Sequence, residues 1–132
     1  MAVQNPVHFD IVGSFLRPER LKKAREAFRS GALGQAGLRR VEDEEIRKLI
    51  SKEKALGLRT LTDGEFRREY WHLDFMWGLG GIKRETLSHG YFFEGEETGR
   101  DTAVLTGKLS GDHHPIVDDF RFTQQFAYQN TV

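Results

Sequence analysis

The chain of 132 residues contains no cysteine. Its own residues therefore offer no disulfide, no thiolate nucleophile and no zinc site built on sulfur, and the composition fits a reducing cytoplasm. Charge of one sign is missing as well, since 20 Lys and Arg balance 20 Asp and Glu. A nucleic-acid or anionic-membrane surface normally shows a basic excess, so no nucleic-acid partner is expected. No apolar run approaches the ~20 residues of a membrane span. The opening MAVQNPVHFD lacks the basic start and apolar core of a secretory leader. The P-loop, GxGxxG, HExxH and GxSxG signatures of common nucleotide-binding and hydrolytic sites do not occur. What is present is an aromatic supply for a core: ten Phe and two Trp in a chain of one-domain length.

Apolar periodicity predicts an α/β organisation. Residues 8–13 alternate as a short strand and end in the Gly13-Ser14 loop. Pro18 and Glu19 open a helix carrying Leu21, Ala24 and Phe28, which Gly31 stops. Gly31 to Gly37 reads as a flexible connector. A longer helix over about 38–56 carries the stripe Leu38, Val41, Ile46, Leu49, Ile50 and Leu56. Asp43/Arg47 and Glu44/Lys48 are candidate i,i+4 pairs on its wet side, and Gly57 is its C-terminal cap. Residues 58–63 form a β-rich run ending at Gly64. Strand, helices, strand predicts a right-handed βαβ unit with parallel pairing. Further on, a short helix is expected within 65–77, broken by the glycines at 78, 80 and 81. A hairpin is expected over 90–109, around the polar stretch EGEETGRD. Residues 115–117 read as extended, and Asp118 as the cap of a last helix reaching about Gln129.

Two residue pairs stand where α/β sheets gather ligands, after the C-terminal ends of strands: Gly13-Ser14 and Gly64-Glu65. A hydroxyl with backbone amides suits a carboxylate, and a carboxylate suits an ammonium group. Ser14 and Glu65 could thus hold the two ends of an amino acid. Equally, Ser14 could cap a helix and Glu65 could be a solvated turn residue. Arg67 and Arg68 suit a phosphate or polyanionic tail, or else a helix surface paired with Glu69. His72 and Asp74 cannot face the same way on a regular helix, so one of them could face a cleft. Trp71, Phe75 and Trp77 read as core. His113-His114 has only Asp112 as a nearby further metal donor, and a loop leading into Pro115 explains the pair better.

The run from Phe9 through Gly13-Ser14-Phe15-Leu16-Arg17-Pro18, then Val41-Glu42-Asp43, then Thr62-Asp63-Gly64-Glu65-Phe66-Arg67-Arg68, then Trp71-His72-Leu73-Asp74-Phe75 resembles the cobalamin-independent methionine synthase family. The likeness is strongest to its shorter bacterial methyltetrahydropteroyltriglutamate–homocysteine methyltransferase-like members, and it covers nearly the whole chain in order. It implies a (β/α)8 barrel with zinc at its C-terminal mouth, where homocysteine is activated as a thiolate. The methyl donor it implies is 5-methyltetrahydrofolate. It assigns homocysteine binding to Val12, Gly13, Ser14 and Glu65. Arg17, Arg67, His72 and Asp74 are further cleft candidates in this sequence, apart from what the resemblance assigns. The resemblance places the zinc ligands and the general acid beyond this chain, so no metal ligand and no catalytic residue is expected within it.

A complete barrel takes about 250 residues. The expectation for residues 1–132 is therefore the N-terminal part of such a barrel with a β-hairpin insertion, whether from a truncated gene, a split gene or a recombinant piece. A partial barrel leaves strand edges and an apolar sheet face uncovered, which predicts self-association or pairing with a C-terminal half. Two alternatives remain: a related zinc thiol-alkyl transferase, such as one with a coenzyme M-type acceptor, or a non-catalytic remnant that binds small molecules or assembles with another chain.

Overall fold

A computed structural model describes residues 11–127. They fall into two compact units, one of residues up to Arg67 together with those from Thr123, the other Arg68–Phe122. The secondary structure is helical with two small antiparallel sheets.

In the first unit, α1 (Glu19–Arg29) starts after Pro18, which stands just outside the helix as its cap rather than in its first turn. An acidic residue at its start and Arg29 in its last turn suit the helix dipole. α2 (Gln35–Ala55) begins three residues earlier than the sequence suggests, so part of the expected connector is helix. Gly37 is accommodated there because the Leu33 side chain fills the space a Cβ would take. Leu21 and Ala24 of α1 and Leu38, Ile46 and Ile50 of α2 are buried where the two helices pack, with Leu61 and Phe66 buried beyond them. Each fully buried Leu or Ile contributes about 1.5–3 kcal/mol. Leu56, by contrast, lies outside the helix and is exposed.

α2 ends in a Schellman turn. Gly57 takes φ 76° and donates to the Lys54 carbonyl, and the Leu58 amide donates to the Glu53 carbonyl. Residues 58–63 then show a single bridge position at Thr60 and do not form a full strand. The expected first strand is not seen in residues 11–13, and its other residues, 8–10, lie outside the described part. The strands among the described residues pair antiparallel.

In the second unit, α3 (Leu73–Trp77) is the short helix expected, ended at Gly78. The glycines that follow open a strand instead of a loop: β1 (Gly80–Thr86) pairs with β4 (Asp101–Ser110), Ile82 opposite Leu105 and Thr86 opposite Asp101. Between them β2 (Phe92–Phe93) and β3 (Glu96–Glu97) make a second, tighter hairpin. Its two turn residues, Glu94 and Gly95, both have positive φ, as a type I′ turn requires. The expected single hairpin over 90–109 is thus two nested ones, and the partner of residues 102–109 is β1. α4 (Pro115–Gln124) includes residues 115–117, which are helical and not extended, and places Asp118 in its first turn. The helix stops at Gln124, short of the expected end near Gln129, and residues 125–126 are a turn rather than helix.

Candidate functional site

The turn Gly64–Arg67 is built by short-range chemistry. Asp63 Oδ1 accepts the Glu65 amide at 2.9 Å, and Thr62 Oγ1 accepts the Gly64 amide at 3.1 Å. Such side-chain turns are the reason Asp and Thr favour these positions. Gly64 has φ 64°, and a Cβ there would come within 2.6 Å of Leu49. The next residue, Glu65, also sits at positive φ, 56°. For a side chain larger than glycine's hydrogen that conformation is unfavourable and persists only when the surroundings enforce it.

The surroundings are specific. The Phe15 amide donates to the Gly64 carbonyl at 3.1 Å, which lays the segment after Gly13 against the turn. Ser14 Oγ donates to Glu65 Oε2 at 2.7 Å across 51 positions of sequence. An Arg17 guanidinium nitrogen donates to the Glu65 carbonyl at 3.1 Å, and Arg25 donates to the Phe66 carbonyl. Val12, Gly13 and Ser14 are exposed, and Glu65 is half-buried. The two residues named for the ends of an amino acid are therefore in direct contact, with solvent access on the Ser14 side.

Of the other cleft candidates, Arg67 and Asp74 are engaged elsewhere. The Arg67 side chain is only 5% exposed and binds Glu42 at 3.4 Å and Asp43 at 2.6 Å on α2. It is neither a surface residue paired with Glu69 nor accessible to a phosphate. Asp74 accepts the backbone amides of Glu69 and Tyr70 at 3.1 and 2.7 Å, so its carboxylate shapes the chain entering α3. His72 lies against Trp71, with ring centroids 4.6 Å apart and planes tilted by 48°, and its Nδ1 is buried without a hydrogen-bond partner. His114 is structural as well. Its Nδ1 accepts the Ile116 amide at 3.1 Å at the start of α4, which leaves the proton on Nε2 to be donated to the Phe75 carbonyl at 2.8 Å. Its ring occupies the space beside Gly78, where a Cβ would lie 2.5 Å away. Among the described residues no group of three or more His, Cys, Asp or Glu is arranged to hold a metal ion.

Three buried acids escaped the sequence reading: Glu42, Glu45 and Glu53. They fall on the same stripe of α2 as Leu38, Ile46 and Ile50, and that spacing was the available signal. Burial raises the Glu42 carboxyl above its ordinary range against the pull of Arg67 and Arg25. Glu53 accepts the Thr62 amide through Oε2 at 3.2 Å, while its Oε1 is buried with no partner. Burial raises its value too, and Asp63 adds to the effect. Glu45 goes the other way, lowered by its hydrogen bond with Lys48 and by Arg20.

Residues 9–110 match the family model described as "Cobalamin-independent synthase, Catalytic domain". The uncharacterized protein YxjH of Bacillus subtilis is 38% identical over 122 residues, which are 92% of this chain and 32% of that one. The methionine synthase of Sulfolobus acidocaldarius is 25% identical over 92% of this chain and 35% of its own length. The crystal structure of a "Putative Vitamin-B12 Independent Methionine Synthase" from Listeria monocytogenes superposes with a TM-score of 0.75 at 37% identity, covering 96% of this chain and 34% of that one. The chain thus spans about a third of the length of these relatives. With the family model matched from residue 9 to residue 110, the chain belongs to the cobalamin-independent methionine synthase family.

Proposed function

We propose that this chain supplies the amino-acid-binding part of a zinc-dependent methyltransferase that moves a methyl group from 5-methyltetrahydrofolate polyglutamate to homocysteine, giving methionine. The observation that carries the reading is the 2.7 Å hydrogen bond from Ser14 to Glu65. It fixes a carboxylate suited to the ligand's ammonium group; the one Ser14 O–H is spent on Glu65, so the ligand's carboxylate is left to the backbone amides beside Ser14. An ionised carboxylate has about four lone-pair positions, so Glu65 can accept an ammonium group while keeping Ser14. The exposed Val12-Gly13 backbone beside it leaves room for the ligand's approach. The family match and the relatives named as methionine synthases support the methyltransferase kind. On the same reading the chain is the N-terminal part of a (β/α)8 barrel, completed by a C-terminal half or a second copy, and works in the cytoplasm. The described residues do not fit zinc: the chain has no cysteine, and among the described residues no three or more His, Asp or Glu side chains gather as a ligand set. No step through the metal is derived from them.

Titration calorimetry of the full chain with L-homocysteine, and in parallel with 2-mercaptoethanesulfonate, tests the reading. Homocysteine is expected to bind and the sulfonate not to bind. Ser14→Ala and Glu65→Gln should each weaken homocysteine by about tenfold, as loss of a hydrogen bond to a charged group does. Preference for the sulfonate would instead favour a thiol-alkyl transferase with another acceptor. Binding of neither would refute the amino-acid site.

A further inference from the structure

Resting on that reading, we propose that Arg25 and Arg67 are positioning residues that set the affinity of the site by holding the Glu65 turn against α1 and α2, without touching the ligand. Glu65 presents its carboxylate from a left-handed backbone position that would relax if the turn were free. The turn is restrained on both sides of that residue. Upstream, the Phe15 amide binds the Gly64 carbonyl. Downstream, Arg25 of α1 binds the Phe66 carbonyl, and Arg67 reaches back to Glu42 and Asp43 of α2. The two arginines share Glu42, at 3.9 Å from Arg25 and 3.4 Å from Arg67. One network, Arg25–Glu42–Arg67–Asp43, thereby ties both helices to the residues that follow Glu65.

Two features argue for an indirect role. The Arg25 and Arg67 side chains are 12% and 5% exposed, so an anionic ligand cannot displace their present partners from solvent. Buried ion networks also add little net stability relative to apolar packing, while they demand one geometry. The guanidinium fork matters here, because Arg67 uses separate nitrogens for Glu42 and Asp43. A lysine keeps the charge and loses that fork.

The test uses the full chain with Arg67→Lys, Arg25→Lys and the milder Asp43→Asn, which decides the matter if a lysine variant fails to fold. Amide hydrogen exchange is followed at Phe15 and Glu65, whose N–H groups bind the Gly64 carbonyl and Asp63. L-homocysteine affinity is measured alongside, with and without Glu65→Gln. The expected result is exchange faster by about tenfold at those two amides, with the interior of α2 unchanged. Affinity should fall by about tenfold, in line with the sensitivity of sites to small misplacement, and this loss should vanish in the Glu65→Gln background. Unchanged exchange at both amides overturns the proposal. So does equal acceleration throughout α2, which marks a merely structural role, or an affinity loss that persists without the Glu65 carboxylate. If the unmodified chain binds no homocysteine, the functional reading falls, and the exchange measurement still decides whether the arginines hold the turn.

Discussion

Arg67 in the first unit and Arg84 in the second each bind two carboxylates, and the settings differ. Arg67 is enclosed, at 5% exposure, with Glu42 and Asp43. Arg84 is 46% exposed, binds Glu69 at 3.3 Å and Asp101 at 2.5 Å, and lies 4.3 Å over the Trp77 ring. Around it Trp77 donates to the Thr102 carbonyl, and Tyr70 meets Trp77 edge-on. Removing the enclosed arginine strands the Glu42 carboxylate, at 6% exposure, where water scarcely reaches it. Removing the open one leaves carboxylates that water solvates again. Similar contacts thus carry different energies, and burial decides which of them constrains the chain.

The sharpest way to break this comparison is Arg67→Ala. Truncating one partner of a buried pair costs about 3–5 kcal/mol, and chemical denaturation should show a loss of that order. A loss below that of Arg84→Ala would reverse the argument. Next in size is Gly64→Ala, which meets both the positive φ and the Leu49 side chain. A cost of about 1–3 kcal/mol is expected from backbone strain, read as a lower thermal midpoint. Glu53→Gln probes a buried acid whose carboxylate accepts the Thr62 amide and lies near Asp63. Its carboxyl is raised by burial, so its contribution is fully present below the ordinary glutamate value and is lost as pH rises through the raised one. Glutamine keeps an acceptor for the Thr62 amide and cannot ionise. The variant should therefore gain stability over the unmodified chain at neutral pH and lose that advantage in acid, measured as urea midpoints at the two conditions. Glu45 should show the opposite trend, with stability present above the ordinary value and lost as pH falls through the lowered one. The smallest effect belongs to Arg84→Ala, at about 1 kcal/mol or less, because exposed ion pairs and cation–π contacts are each weak. A loss comparable to that of Arg67→Ala would show that the aromatic cluster, not exposure, sets the scale.

How far these features were legible follows from the range of the forces involved. The helices were readable because Leu21, Ala24, Leu38, Ile46 and Ile50 repeat at helical spacing and Gly57 closes the second helix. Placing two Gly-containing loops together put Ser14 and Glu65 near one another on paper, while their direct hydrogen bond is a contact that reasoning did not name. β1 was hidden because Gly80 and Gly81 read as breakers, while their use depends on a partner, β4, that lies 20 and more residues away. Arg67 looked like a surface residue since a charge carries no local mark of burial. Only the acids of α2, themselves on the apolar stripe, hinted that a cation must join them. His114 likewise gives no sequence sign of its dual contact with Ile116 and Phe75.

The left-handed backbone at Glu65 has a consequence for how this sequence can change. Glycine is the residue that such a conformation favours, and any side chain held there gives up about 1–2 kcal/mol. A selection scored only on heat resistance would thus drift toward glycine at this position and discard the carboxylate. On the function proposed here, one scored on binding homocysteine would retain the acid and tolerate the softer fold. Competing libraries at this single codon under the two pressures should diverge in opposite directions, a record of work performed that is independent of any assay of turnover.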